Sequence, residues 1–275
     1  MIPLPISTDR ALVLFTDLDG TLIDYHTYDT RESEGALRRL VDRSVPLVFC
    51  SSKTFTEQSD LQGQLGMRQP FIFENGSAVA IPDGFFPKKM YTAARREGGY
   101  DVVVFAHADA VSLGTALEQI GGLKGYKYAS DAELSAATGL SGDALLRARE
   151  RWFTETLLSP LNGERFFEVE NLLQAMGYSL SRGGRFFTVQ SAQVNKGKAV
   201  LWMMELFRQS HAQGVVFAAI GDSPNDVPML EVVDIPFLVQ RPDHSWAALE
   251  IPHMISIDAI GPSGFDTAVK LLLGK

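Results

Sequence analysis

Short, nearly unbroken apolar runs alternate along the chain with segments whose apolar residues recur every three or four positions. The runs at 11–15, 45–50, 71–73, 215–220 and 237–239 are bounded by turn residues, the pattern of strands buried on both faces. Between them, Leu37, Leu40 and Val41 follow an Asp29-Thr30 start. Thr54 to Glu57 spells a capping box ahead of Leu61, Leu65 and a stop at Gly66, and a third helical pattern over 196–207 carries Val200, Met203, Met204 and Phe207. Strands alternating with helices predict a parallel α/β sheet, because parallel neighbours need a crossover and the crossover is usually a helix.

The middle of the chain reads differently. Residues 88–190 predict an α+β insertion with short strands over 102–105, 152–157, 178–180 and 185–189 and helices over 113–120 and 167–176. Gly183-Gly184 marks a hairpin between the last two strands. The expected division is a core from 1–87 and 191–275 and an inserted unit from 88–190. This middle segment holds twelve basic and twelve acidic residues, so the whole formal charge of −8 falls on the flanking core.

A length of 275 residues is a little under two domains, which suits a core with an insertion and excludes a long repeat array. With 45% hydrophobic and 21% charged residues the chain is globular rather than disordered or fibrous. The acidic balance argues against a general nucleic-acid or anionic-membrane surface, so an anionic ligand must be gripped locally. Cys50 stands alone and forms no internal disulfide, which suits a reducing compartment, the cytoplasm by default. Met1 to Pro5 shows no basic leader, and no apolar run approaches the about 18 residues that span a bilayer. The expectation is a soluble, unprocessed protein.

The strongest chemical signal is Thr16-Asp17-Leu18-Asp19-Gly20-Thr21 directly after the first apolar run. Ligands of open parallel sheets bind at the carboxyl ends of the strands. Two carboxylates there repel unless a cation lies between them, and a hard divalent ion such as Mg²⁺ is the simplest candidate; otherwise the stretch is an ordinary Asp-Gly turn. A second acidic cluster, Gly221-Asp222-Ser223-Pro224-Asn225-Asp226, also follows a strand. Ser223 suits an N-cap and Pro224 the first helical position, so Asp226 is either a capping-box carboxylate or a metal ligand. Asp222, before the cap, is placed to complete an oxygen site with Asp17 and the Asp19 carbonyl. Ser51-Ser52-Lys53-Thr54 ends a strand and opens the capped helix, where N–H groups suit a phosphate. The lysines of Asn195-Lys196-Gly197-Lys198 either neutralise phosphoryl oxygens or are solvated.

Together these four pieces resemble the haloacid dehalogenase superfamily of phosphohydrolases. The resemblance implies a Rossmann-like α/β core with Asp17 as nucleophile, Asp19 as general acid/base, Ser51 and Lys196 as phosphate clamps, and Asp222 as metal ligand with Asp226 in support. The insertion looks like a C2-type (C2B) cap as in Cof-like sugar phosphatases. Ser51-Ser52-Lys53-Thr54, Phe73-Glu74-Asn75-Gly76, Gly184-Arg185-Phe186-Phe187 and Asn195-Lys196-Gly197-Lys198-Ala199 further resemble the mannosyl-3-phosphoglycerate phosphatase family. That family's Arg-x-aromatic-Ser-Glu-Pro stretch reads Arg151-Trp152-Phe153-Thr154-Glu155-Thr156 here, keeping Arg and Glu and lacking Pro. The implied substrate contacts are Ser52, Lys53, Glu74, Asn75, Gly76, Glu155 and Arg185, with Arg185 on a glycerate carboxylate and a small phosphorylated molecule as the partner. The bland readings are a solvent-facing hairpin arginine and a turn at Glu74-Asn75-Gly76. The alternatives are a phosphatase for another sugar phosphate, a phosphomutase, or a receiver phosphorylated on Asp17 without turnover.

Overall fold

The structure is a computed structural model that describes residues 10–274; the Met1–Pro5 stretch lies outside them. The main sheet contains nine strands, β1 (Ala11–Thr16), β2 (Leu47–Cys50), β3 (Phe71–Phe73), β4 (Ala78–Pro82), β5 (Arg95–Glu97), β6 (Tyr100–Val104), β10 (Val215–Gly221), β11 (Ile235–Gln240) and β12 (Ile255–Ile260). Their spatial order is β12-β11-β10-β1-β2-β3-β4-β6-β5. The first six in that order run parallel, and β4, β6 and β5 continue antiparallel. Chain order runs outward from β1 on one side and from β10 on the other, so the crevice between these two is the switch point where ligands of such sheets bind.

Both faces are covered. Along β1, Leu14 packs into one cluster and Val13 and Phe15 into another, the period-two split of a strand buried on two sides. The Leu14 side is closed by α1 (Glu34–Asp42), α2 (Phe55–Gln64) and α9 (Gly261–Leu273), the other by α7 (Lys196–Ser210) and α8 (Val227–Leu230). The capping box at Thr54 forms as expected. Helix α1 starts later than expected: Asp29 accepts from the Arg31 N–H in a turn of its own, and Val41 is 65% exposed.

A second sheet of β7 (Glu155–Leu157), β8 (Tyr178–Arg182) and β9 (Phe187–Ser191), with β9 central, packs against α3 (Ala110–Ile120) and α6 (Gly163–Ala175). Helices α4 (Asp131–Thr138) and α5 (Gly142–Arg149), unforeseen in the sequence, form a smaller cluster with Tyr126. This unit is the cap. Its boundary differs from the expected 88: β6 pairs with β4 and β5 with β6, both in the main sheet, and the chain leaves only after Ala106, whose N–H still donates to the Ser77 carbonyl. The outgoing and returning chains are joined, because the Ser191 hydroxyl accepts from the His107 and Ala108 N–H groups at 3.2 and 3.1 Å. Residues 152–154, expected as strand, are irregular, and Glu74 takes their donors.

Gly76, expected at the ligand, has a packing role. Its φ is +92°, and an added Cβ would strike the Asn195 carbonyl at the start of α7. Gly76→Ala should therefore lower unfolding free energy by about 1–3 kcal/mol, the scale of a strained non-glycine backbone, as read from chemical denaturation; an unchanged midpoint would contradict this packing.

Candidate active site

The site is built from strand ends. Beyond β1 the chain wraps round one carbonyl: Leu18 accepts from the N–H groups of Thr21, Leu22 and Ile23, and Gly20 turns at φ +79°. A Cβ at Gly20 would sit 3.2 Å from Asp222 Oδ2, so this glycine lets the β1 and β10 ends close on each other. Beyond β10, Ser223 and Asp226 form the expected capping box. Asp226 Oδ2 accepts from the Asp222 and Ser223 N–H groups at 3.0 and 3.1 Å, and its Oδ1 lies 2.6 Å from Lys196 Nζ. Both capping and charge pairing thus fall to this one carboxylate.

Lys196, at the first position of α7, is fully buried between two acids, with Nζ also 2.6 Å from Asp17 Oδ1. The two carboxylates hold its pKa well above the ordinary lysine value despite burial. Burial pushes the Asp17 carboxyl up, Lys196 opposes that shift, and Asp226 adds to it. Asp222 is likewise raised, by burial first and then by Asp226 and Asp17. At 1% exposure, both Asp222 oxygens lack a hydrogen-bond partner among the described residues. One oxygen from each of Asp17, Asp222 and Asp226 falls within 4.8 Å of the others. A buried all-oxygen cluster with an orphaned carboxylate fits a hard divalent cation. Asp19, expected to offer its carbonyl to the metal and its side chain as general acid/base, directs that side chain to Lys53, with Oδ1 at 3.1 Å from Nζ.

A cleft opens above these acids between core and cap, lined by Asp17, Asp19, Ser52, Lys53, Ser223 and Asn225 from the core and by Arg151 and Arg185 from the cap. Of the expected contacts, Ser52, Lys53 and Arg185 meet here. Ser51 is buried at the end of β2, its hydroxyl accepting from the Lys53 N–H. Glu74 does not reach the cleft: its carboxylate accepts from the N–H groups of Trp152 and Phe153 at 2.8 and 2.9 Å and from the Thr154 hydroxyl at 2.7 Å, fastening the cap to the end of β3. Asn75 is buried behind Asn225. Glu155 is buried inside the cap, its Oε1 bound by the Thr156 and Lys127 N–H groups.

Several cleft residues escaped sequence reading. Tyr25 and Tyr28 follow the Asp17–Thr21 turn, and Tyr126 and Arg151 come from the cap. Arg151 donates to the Ser52 carbonyl at 2.7 Å and to the Thr154 hydroxyl at 3.1 Å, so it joins cap to core beside the cleft. Its place in the Arg151–Thr156 stretch is the signal that could have found it. The tyrosines carried none, because only the folded cap brings them opposite a partner.

A family model described as haloacid dehalogenase-like hydrolase matches residues 14–92 and 164–246. The chain is 36% identical over 269 residues to a glucosyl-3-phosphoglycerate/mannosyl-3-phosphoglycerate phosphatase of Methanococcoides burtonii, covering 96% of this chain and 97% of that one. It is 30% identical to a protein of the same name from Persephonella marina, over 96% and 98%. In fold it is similar to the sucrose-phosphatase of Synechocystis sp., with a TM-score of 0.61 at 15% identity over 94% and 97% of the two chains. A haloalkanoate-superfamily phosphatase from Bacteroides thetaiotaomicron gives a TM-score of 0.63 at 18% identity over 98% and 97%. The matched segments contain both acidic strand ends and Lys196, and with the near full-length relatives they show that the chain belongs to the haloacid dehalogenase-like hydrolases.

Proposed function

We propose that the protein is a Mg²⁺-dependent phosphomonoesterase that removes phosphate from mannosyl-3-phosphoglycerate or glucosyl-3-phosphoglycerate. The observation that carries this reading is the pairing of a buried acidic cluster with cap cations in one cleft, in a chain similar along nearly its whole length to phosphatases of that name. The residues present fit the reaction in order. Lys196 holds Asp17 through Oδ1, which leaves the other oxygen without a protein donor among the described residues and free to attack phosphorus in line. The P–O bond to the leaving group breaks as the aspartyl-phosphate forms, and Asp19, whose side chain is 32% exposed toward the cleft, gives its proton to the leaving oxygen. Asp19 then takes a proton from the water that attacks the aspartyl-phosphate, and phosphate leaves with Asp17 restored. Asp17 and Asp222 would hold Mg²⁺, which would supply positive charge for the phosphoryl oxygens. Lys196 shares that electrostatic work, which is the main source of acceleration in phosphoryl transfer. The cap excludes water and presents Arg185, a planar donor suited to a carboxylate, over the cleft.

Asp17→Asn should reduce phosphate release by at least about 10⁴-fold, the scale of a lost nucleophile, with the circular dichroism spectrum unchanged. Retained turnover in a folded variant would remove Asp17 from the mechanism. Saturating Mg²⁺ at a hundred times its dissociation constant should stabilise the chelator-treated protein by about 2.7 kcal/mol. Asp222→Asn should abolish that gain and raise the melting temperature of the metal-free protein, because it neutralises a buried, unpartnered charge; a metal response equal to wild type would place the ion elsewhere. The substrate is tested by phosphate release across a panel. Mannosyl- and glucosyl-3-phosphoglycerate should be cleaved at least about 10²-fold faster than mannose 6-phosphate or glycerol phosphate, since a site built for polar partners rejects ligands that lack them. Equal rates on simple hexose phosphates would assign a different sugar phosphate.

A further inference from the structure

Tyr28 is a core residue whose side chain is committed to the cap. Its backbone sits at φ +59°, a region that bulky residues adopt only when the surroundings hold them there. Asp24 does the holding: its Oδ1 accepts from the N–H groups of His26 and Thr27 and from the Thr27 hydroxyl, while its carbonyl accepts from the Tyr28 N–H. From this wound turn the phenol crosses the cleft, and its hydroxyl donates to the Thr138 carbonyl at 3.0 Å. Arg185 completes a triangle, donating through Nη2 to that hydroxyl and through Nη1 to the same carbonyl at 3.3 Å.

The ring also has two cationic neighbours. Lys53 Nζ lies 4.9 Å from its centroid and the Arg185 guanidinium carbon 5.4 Å. Lys53 belongs to the core and pairs with Asp19; Arg185 belongs to the cap, where its hairpin packs so closely that a Cβ at Gly184 would lie 2.8 Å from the Tyr25 ring. One aromatic ring thus brackets two like charges beside the acid that serves the leaving group. A guanidinium has five donors, and the triangle uses two, so Arg185 keeps others for an incoming anion.

We propose that Tyr28 is a positioning residue for substrate specificity: it fixes Lys53 and Arg185 as the two halves of one anion clamp, which takes a carboxylate on the leaving group next to the scissile oxygen. Half of the clamp rides on the cap, so the clamp is complete only when the cap is closed, and recognition of the carboxylate is tied to closure. The carboxylate part rests on the phosphoglycerate reading above; the tie between Tyr28 and the cap does not.

The test uses the full-length, Mg²⁺-loaded protein and Tyr28→Phe, which keeps the ring and loses only the hydroxyl. Dissociation constants for 3-phosphoglycerate and glycerol 3-phosphate, read by calorimetry, isolate the carboxylate. The variant should lose at least about tenfold of the preference for 3-phosphoglycerate, the scale of a lost hydrogen bond to a charged group. Tyr28→Phe combined with Arg185→Ala should be no worse than Arg185→Ala alone, since both act on one clamp. Equal weakening of both ligands, or additive losses, would reduce Tyr28 to a structural residue and overturn the proposal. A second measurement needs no substrate. Amide exchange at Gly183, whose N–H donates to Phe186 within the hairpin, should quicken several-fold in ligand-free Tyr28→Phe, and unchanged exchange overturns the tie to the cap. If the wild type binds both ligands equally while exchange still quickens, the phosphoglycerate reading fails and the tie between Tyr28 and the cap stands.

Discussion

A single buried ammonium holds the centre of this molecule together. Lys196 is the only cation in direct contact with the Asp17 and Asp226 carboxylates among the described residues, and the third acid, Asp222, has no donor for either oxygen. Burying charge is tolerated only when it is paired, and leaving one partner unpaired costs several kcal/mol. The constraint reaches outward from there. Gly20 turns at φ +79°, a conformation that residues with side chains rarely adopt, and Gly221 must lack a side chain because a Cβ there would lie 2.7 Å from the Asp226 carboxyl. Gly76 yields to the backbone at the start of α7, which fixes where the ammonium is delivered. The site thus gathers three buried carboxylates round one ammonium, a donor set that fits a further divalent cation.

The parts of the fold legible in the sequence were those whose burial is symmetric. Strands β1, β2, β3, β10 and β11 lie inside the sheet with both faces covered, and their unbroken apolar runs announce that. The antiparallel extension was harder. In β5, Arg95 and Arg96 are exposed, and β6 contains Asp101, whose carboxylate is paired with Lys88 and bonded to the Tyr91 hydroxyl. Such strands look like surface segments, which sets the expected start of the insertion before them. In β12, apolar and polar residues alternate under partial cover, and helix α9 follows without the usual capping side chain at its start.

The chemistry was legible wherever local backbone dictates it. Asp17, Asp19, Asp222 and Lys196 sit at strand ends or a helix start, positions that short motifs define. Glu74 shows the opposite case. Its motif marks it as special, yet its partners are residues 152–154, nearly eighty positions away, and nothing local reveals that its carboxylate fastens the cap instead of facing the cleft. Burial raises its pKa even against three donors and the nearby Arg151, a sign of how completely the junction is enclosed. Tyr25 and Tyr28 are invisible for the same reason, because their meaning depends on a hairpin that arrives from the cap.

The joint at Ser191 bears on how the chain folds. One hydroxyl gathers the N–H groups of both His107 and Ala108, so the cap departs from and returns to a single point on the sheet. To the core, the roughly eighty intervening residues amount to one closed loop, and the entropy of closing a loop grows only with the logarithm of its length. The sheet order β10-β1-β2 therefore carries almost the same closure cost with a large cap as with a small one. An insertion attached in this way can change in size and shape over evolutionary time while the strand ends that carry the acids keep their register.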